Sequence, residues 1–111
     1  MPGALDGIRI LDLSNVVSGP MAVQMLADQG ATVIKVEQPG IGDISRLSGA
    51  KRGGVSSLNS VLNRNKRSIV LDIQKPGATA VMDKLIAQCD VLVQNFRPGA
   101  TARMGIDYDA L

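Results

Sequence analysis

The stretch that decides the fold is Ile8–Glu37, with the sequence IRILDLSNVVSGPMAVQMLADQGATVIKVE. Its two ends, Ile8–Leu13 and Ala31–Glu37, are β-branched and apolar runs of strand length. Between them, Met21–Gln29 is rich in strong helix formers, and Gly30 is typical of the residue that follows a helix. The order strand, helix, strand predicts a βαβ unit in which both strands lie parallel in one sheet.

The helix of this unit is expected to begin at Pro20, because proline is favoured at the first helical position. Ser18 or Gly19 can then act as the N-cap. Strands and helices continue to alternate along the chain. The expected elements are a third strand at Ser68–Ile73, a helix after Lys75-Pro76-Gly77 with its apolar face at Ala80, Val81, Leu85 and Ile86, a fourth strand at Asp90–Gln94 and a short helix at Ala100–Met104.

These elements predict the α/β class, with a Rossmann-like parallel sheet and helices on both faces. Asp107–Leu111 has the pattern of another helix beginning, so the sequence reads as unfinished at its last residue.

Residues 40–65 differ from the rest, since they are rich in glycine and serine, and we expect a long surface loop. Six of the 12 lysines and arginines fall within residues 46–67, a basic arm that has no acid: Arg46, Lys51, Arg52, Arg64, Lys66 and Arg67. Two interpretations are open. The arm is either a solvated loop or a site for phosphates or carboxylates.

The composition is that of a globular domain, with 111 residues, 45% hydrophobic and 20% charged. These values exclude a disordered or collagen-like chain, and the length fits a single domain over residues 1–111. No run approaches the ~18 consecutive apolar residues of a membrane helix, and the first residues lack the pattern of a secretory signal. We therefore expect a cytoplasmic protein with no membrane partner. The single Cys89 fits a reducing compartment.

Histidine is absent from the sequence, which removes the commonest metal ligand and the usual base for a serine or cysteine nucleophile. The acids are scattered singly, so we expect no metal site. Only Phe96 and Tyr108 are aromatic, and the net charge is +2. Stacking platforms and positive charge are therefore too few for a nucleic-acid partner.

Ligands of open parallel sheets collect at the carboxyl ends of the strands. The predicted sheet brings four segments to that edge, residues 15–19, 37–40, 72–75 and 95–99, and three of them precede a helix N-terminus, which is compatible with a nucleotide-like ligand. Only Gly19 occupies the loop in which a dinucleotide site needs G-x-G-x-x-G, and no G-x-x-x-x-G-K-[ST] is present. NAD and ATPase sites are therefore not expected.

Several motifs stand in one order along the chain. They are LDGIRILDLS at residues 5–14, Gly19-Pro20, LADQGATVIKVE at residues 26–37 with Pro39, Gly42 and Asp43, NRNKRS at residues 63–68, Leu71-Asp72, and NFRPG at residues 95–99 with Arg103, Gly105 and Tyr108. In this order they resemble the N-terminal part of the family III CoA-transferases, a group that also contains the α-methylacyl-CoA racemases. The resemblance extends over essentially all 111 residues.

This resemblance implies a Rossmann-like domain that binds coenzyme A, in an enzyme whose two subunits form an interlocked homodimer. The family moves CoA from an acyl-CoA to a carboxylic acid through an aspartyl-CoA thioester, and its nucleophilic Asp lies beyond the position that matches Leu111. No catalytic residue is therefore expected in this chain. Asp12, Asp28, Asp43 and Asp72 are expected to serve as turn, cap or ion-pair residues.

The resemblance also implies which residues lie along CoA. They are Val16, Val17, Ser18, Leu71, Asp72, Ile73, Gln74, Lys75, Asn95, Phe96, Arg97 and Arg103. Arg97 and Arg103 can bind phosphate oxygens, although surface charges at a helix end are the alternative. Phe96 can pack on adenine or fill the core. Lys66 and Arg67 either contact the 3′-phosphate region or hold the basic arm by ion pairs.

Two other functions stay open at this stage. One is a fragment of an α-methylacyl-CoA racemase. The racemase branch usually diverges from the motif found here at Asn63–Ser68, so this motif favours a transferase over a racemase. The other is a non-catalytic module that binds CoA or a nucleotide. Within the transferases, Val17 stands where the formyl- and oxalyl-CoA branch carries a glutamine, which argues against that branch. Gln38 stands where some members carry an arginine near adenine.

Overall fold

The structure, a computed structural model, describes residues 3–111 and contains two sheets and four α-helices in that range. The strands are β1 Arg9–Asp12, β2 Thr32–Glu37, β3 Lys51–Arg52, β4 Val55–Ser56, β5 Lys66–Val70 and β6 Val91–Val93. The helices are α1 Ser18–Asp28, α2 Ser57–Leu62, α3 Ala78–Ala87 and α4 Ala100–Met104.

The main sheet is parallel and has the strand order β5-β2-β1-β6. In its centre, Ile10 of β1 is paired with Val33 on one side and with Val91 on the other. The predicted βαβ unit is confirmed, since β1 and β2 are adjacent and α1 connects them.

Apolar side chains are buried on both faces of this sheet. On one face, Ile10 and Val33 pack with Val23 and Ala27 of α1. On the other, the buried cluster contains Leu11, Leu13, Val36, Met82 of α3 and Ile106. The α/β class with helices on both faces is therefore confirmed.

Two elements, α1 and β5, differ from the sequence prediction by two or more residues at a boundary, and the buried face of α3 also differs. Helix α1 begins at Ser18 with Val17 as its N-cap, so Pro20 lies inside the first turn, where its missing N–H is still harmless. Strand β5 covers Lys66–Val70 because its edge pairing with β2 already starts at Lys66, two residues before the predicted start. In α3 the buried residues are Ala78 and Met82, whereas Ala80 and Val81 are exposed.

The segment at residues 40–65, expected as a long surface loop, contains short helices and strands. This segment contains a 3-10 turn at Ile44–Leu47, the antiparallel hairpin β3–β4 and helix α2. The hydroxyl of Ser56 explains part of this order, because it accepts a hydrogen bond from the Asn59 N–H and so caps α2. The elements are too short to give a periodic apolar pattern that sequence analysis can detect.

At the other end, residues 107–111 form a turn in which the Leu111 N–H donates to the Asp107 carbonyl, as in the first turn of a helix. No helix within residues 3–111 is long and apolar enough to cross a membrane.

Candidate functional site

A narrow cleft opens at the carboxyl edge of the main sheet. The segments that follow β1, β2, β5 and β6 all contribute to it, as the rule for parallel sheets predicts. Its lining residues are Leu13, Asn15, Val36, Glu37, Gln38, Leu71, Asp72, Ile73, Gln74, Phe96 and Met104. Most of these side chains are apolar, which suits a ligand with an apolar portion.

A second, wider cleft adjoins the first and shares Ile73, Gln74 and Met104 with it. Lys75 and Arg103 line this second cleft, and neither forms an ion pair within residues 3–111. The joined clefts therefore form one groove that is apolar in its first half and cationic in its second. We call it the strand-end groove.

The structure brings together seven of the predicted site residues in the strand-end groove. Leu71, Asp72, Ile73, Gln74 and Phe96 line the first cleft, and Gln74, Lys75 and Arg103 line the second together with Ile73. The other five, which do not line it, are Val16, Val17, Ser18, Asn95 and Arg97.

Three of these five residues adjoin residues that line the groove, since Val16 follows Asn15, and Asn95 and Arg97 flank Phe96. Asn95 connects two strand ends, because its side chain accepts from the Asn15 N–H at 2.9 Å and donates to the Asn15 carbonyl at 2.8 Å. Val16 and Val17 follow Asn15 and are 46% and 38% exposed. Arg97 is exposed in the turn before α4.

Sequence reasoning missed six of the lining residues, which are Leu13, Val36, Pro76, Thr79, Ala100 and Met104. Met104 is four residues after Ala100 on α4, so both side chains lie on the helix face that borders the groove. That spacing is the signal that could have identified Met104.

Two buried ion pairs lie beside the groove, on the α1 side of the sheet. Lys35 Nζ is 2.6 Å from Asp43 Oδ2, and Lys66 Nζ is 2.9 Å from Asp12 Oδ2. All four side chains are at most 2% exposed. Asn63 joins the pairs, since its Oδ1 accepts from both ammonium groups at 3.0 Å. We call these five residues the buried polar network.

This network decides between the two roles that the sequence leaves open for Lys66, a contact with the 3′-phosphate region or an ion pair that holds the basic arm. Lys66 holds the chain by an ion pair, and its ammonium group also donates to the Pro20 carbonyl at 3.0 Å, so it is not free for a phosphate. Burial lowers the pKa of Lys66 in spite of the opposing effect of Asp12. Arg67, by contrast, forms no ion pair with any residue that the structure describes.

The basic arm is half neutralised by acids from elsewhere in the chain. Arg46 pairs with Glu37, Arg64 with Asp28 and Lys66 with Asp12. Asp12, Asp28 and Asp43 form ion pairs, and Asp72 Oδ1 accepts from the Gln74 N–H within a turn, in agreement with the turn, cap or ion-pair roles expected of these acids. Across residues 3–111, no three His, Cys, Asp or Glu side chains are grouped as a metal site would require.

Glu37 connects the basic arm to the groove. Burial by itself would raise the pKa of Glu37, but hydrogen bonds from Arg46, Ser68 and the Asp43 N–H, with the Arg46 charge, lower it to about 2. Both guanidinium contacts with the carboxylate measure 2.8 Å. The carboxylate therefore stays ionised in the folded protein at any physiological pH.

Because the folded-state pKa of Glu37 lies below its ordinary 4.5, the ionised form stabilises the fold above that pH, and this contribution is lost as the pH falls towards 2. The full shift corresponds to about 3 kcal/mol, and solvent around the half-exposed Arg46 reduces it to about 2 kcal/mol. We therefore expect the free energy of unfolding to fall in acid by about 2 kcal/mol more for the wild type than for the Glu37→Gln variant. Urea unfolding at several pH values between 6 and 2.5 measures this difference, and parallel acid profiles would contradict it.

Comparison with known proteins identifies the same family as the motifs of the sequence. The family model of CoA-transferase family III matches residues 5–111. A formyl-CoA:oxalate CoA-transferase of Rhodopseudomonas palustris strain BisA53 is 51% identical over 112 residues, and one of Bradyrhizobium sp. strain ORS 278 is 50% identical. Both alignments cover 100% of this chain and 26% of the relative, so the chain spans about a quarter of their length.

Solved structures agree with the sequence relatives. A CAIB/BAIF family protein from Brucella suis superposes with a TM-score of 0.90 at 34% identity, covering 99% of this chain and 30% of that one. A hypothetical protein from Mycobacterium tuberculosis gives a TM-score of 0.87 at 37% identity, covering 97% of this chain and 29% of that one. The names of the curated relatives oppose the argument that Val17 makes against the formyl- and oxalyl-CoA branch. The resemblance of the motifs is confirmed, and this chain belongs to CoA-transferase family III.

Proposed function

We propose that this chain supplies the coenzyme A groove of an enzyme that transfers CoA from an acyl-CoA to a carboxylic acid. The observation that carries the proposal is the strand-end groove, which is apolar along Leu71, Ile73 and Met104 and cationic at Lys75 and Arg103. Coenzyme A has the same two parts, a mostly uncharged pantetheine arm and a nucleotide end with three phosphates.

The residues of the groove fit this ligand one by one. Within residues 3–111, Lys75 and Arg103 form no ion pair with an acid, so both can bind phosphate oxygens. Phe96 offers a ring against which adenine or the pantetheine arm can pack. Asp72 is an acceptor and suits a ribose hydroxyl or an adenine amino group rather than a phosphate. Arg97 follows Phe96 and adds a further cation at the border of the groove.

The proposed reaction uses an aspartate outside residues 1–111. Its carboxylate attacks the acyl-CoA carbonyl, which gives a mixed anhydride and releases the CoA thiolate. The thiolate then attacks the aspartyl carbonyl, forming the aspartyl-CoA thioester and freeing the first acid. The acceptor acid repeats both steps in reverse order and leaves with CoA. The part of this chain is to keep CoA bound and oriented while its sulfur changes partners.

The first assay uses formyl-CoA and oxalate, the pair in the names of the relatives, with the natural polypeptide that carries this chain.

Val17 has no hydrogen-bonding side chain, is 38% exposed and lies two residues after Asn15, which lines the groove. We expect Val17→Gln to raise the preference for formyl-CoA over an apolar acyl-CoA by about tenfold, because one new hydrogen bond contributes about 1.4 kcal/mol. Product acids and acyl-CoAs are followed by liquid chromatography.

Three results separate the outcomes of this assay. Transfer that depends on both an acyl-CoA and an acceptor acid supports the proposed function. Epimerisation of a 2-methylacyl-CoA without an acceptor acid would replace it with the racemase activity. CoA binding with neither reaction would leave only a binding module. An unchanged acyl preference in Val17→Gln would contradict the role of residue 17 without affecting the transferase assignment.

A further inference from the structure

Val16 has a backbone conformation that its side chain disfavours. Its φ is +73°, in the left-handed region where β-branched residues are genuine outliers. Among residues 3–111, the only other non-glycine residue with positive φ is Asn65, a type that tolerates this region well. Such strain persists only where the surrounding structure imposes it.

Asp43 and Lys35 of the buried polar network impose it from two sides. Asp43 Oδ1 accepts from the Val16 N–H at 3.0 Å, and Lys35 Nζ donates to the Ser14 carbonyl at 3.2 Å. The ion pair therefore contacts the backbone of the β1–α1 loop on both sides of Asn15. From the opposite side, Asn95 is hydrogen-bonded to both backbone groups of Asn15.

The groups that hold the loop are themselves fixed. Asp43 is 0% exposed, and besides its Lys35 contact it accepts from the Ser45 N–H at 2.9 Å. The close approach of Gly19 to Ser14 further confines the loop, since a Cβ at position 19 would lie 2.3 Å from the Ser14 Cβ. The loop thus has little freedom to relax by itself.

Burial does not compensate for the strain at Val16. The side chains of Val16 and Val17 remain 46% and 38% exposed, and neither belongs to the two apolar clusters of the core. A strained and exposed loop that is held by buried groups is typical of functional sites, where the conformation itself is what the protein uses.

We propose that Asp43, held by Lys35, is a positioning residue that keeps Val16 in its left-handed conformation and so sets the β1–α1 loop for CoA and its acyl group beside the strand-end groove. This inference rests on the proposed function. Asp43 does not line the groove, so it acts through the Val16 N–H and not by touching the ligand.

The test is a rescue experiment in the natural polypeptide that carries this chain. Asp43→Asn keeps an oxygen acceptor but loses the ion pair with Lys35 that holds this acceptor against the Val16 N–H. We expect it to lower kcat/KM by about tenfold or more at a temperature at which the variant is fully folded, because a misplaced loop spoils the reactive geometry. Val16→Gly in the Asp43→Asn background should restore kcat/KM to within about threefold of Val16→Gly alone, since glycine adopts φ +73° without help. The matched control is Asn65→Gly in the same background, which places glycine at the other positive-φ position and should restore nothing.

Each outcome is decisive. The proposal is supported if Asp43→Asn loses activity, Val16→Gly restores it in that background and Asn65→Gly does not. Full activity in folded Asp43→Asn, or equal rescue by Asn65→Gly, would overturn it. If Asp43→Asn does not fold, amide hydrogen exchange of the wild type decides instead. The Val16 N–H should then exchange about 100-fold more slowly than a free loop amide, and rapid exchange would refute the restraint.

Failure of the proposed function has a different signature. In that case the wild type does not transfer CoA to an acceptor acid, yet the Val16 amide is still protected from exchange. Protection together with inactivity therefore contradicts the transferase, whereas activity without protection contradicts the positioning role.

Discussion

Asp12→Ala is expected to reduce the free energy of unfolding by about 3–5 kcal/mol, because it leaves the Lys66 ammonium group buried without its counter-charge. The two side chains are 0% and 1% exposed, so water cannot replace the lost carboxylate. Asp12 also accepts from the N–H and the hydroxyl of Ser14, and both bonds disappear with it. Within residues 3–111, the hydrogen-bond acceptors that remain for the ammonium group are the neutral Pro20 carbonyl and Asn63 Oδ1.

Urea unfolding at pH 7, followed by circular dichroism, measures this loss. The matched control is Asp28→Ala, which breaks the Arg64 pair at the surface, where both partners are about a third or more exposed. It also removes the hydrogen bonds that Gln24 and Asn65 donate to this carboxylate. Exposed pairs contribute roughly 0–1 kcal/mol, so the control should lose far less. Replacing both charges, as in Asp12→Leu with Lys66→Met, should recover most of the stability. Equal losses in Asp12→Ala and Asp28→Ala would show that the buried pair has no special role.

The sequence predicts the main sheet well because its strands and helices are local patterns. Ile8–Leu13, Met21–Gln29 and Ala31–Glu37 each contain their own signal in composition and length, and the βαβ rule supplies the topology. The fold of residues 40–65 was not predictable in this way. Its hairpin has two residues per strand, and its order depends on contacts such as that of Asn59 with Ser45.

The candidate site was predicted where it depends on the strand-end rule and on motif resemblance. Leu71–Gln74 and Phe96 follow strands and do meet in one cleft. The ion pairs of the basic arm could not be predicted from the sequence, because the acids that neutralise its cations lie elsewhere in the chain. Arg46 is 9 residues from its acid, Arg64 is 36 and Lys66 is 54. Local charge counts cannot detect pairs that only the folded chain creates.

Lys35 illustrates the same limit within one strand. It occupies the alternate position between Val33 and Glu37 in β2, so period-two alternation places all three on the α1 face. Sequence rules would expose a lysine there, yet Lys35 is 2% exposed. Its burial depends on Asp43, Asn63 and the Ser14 carbonyl, which come from three other segments.

Lys75→Ala combined with Arg103→Ala is expected to weaken CoA binding by about 100-fold or more. Each charged hydrogen bond to a phosphate contributes about 1.5–3 kcal/mol, and the two side chains line the same cationic half of the strand-end groove. Both side chains are free of ion pairs within the described part of the chain, so their removal breaks no pair. Isothermal titration of CoA into the wild type and the double variant measures the difference.

The control must remove the same charge from a different place. Lys51→Ala with Arg52→Ala does this, because both residues lie on the exposed hairpin strand β3, have no ion pair in residues 3–111 and line neither cleft. Attraction by net charge alone would weaken CoA equally in both double variants and would disappear at high salt. A specific groove predicts loss of affinity only when Lys75 and Arg103 are replaced.

Dephospho-CoA, which lacks the 3′-phosphate, then shows which phosphate Lys75 and Arg103 bind. If the double variant loses less affinity for dephospho-CoA than for CoA, at least one of the two cations binds the 3′-phosphate. Equal losses assign both to the pyrophosphate.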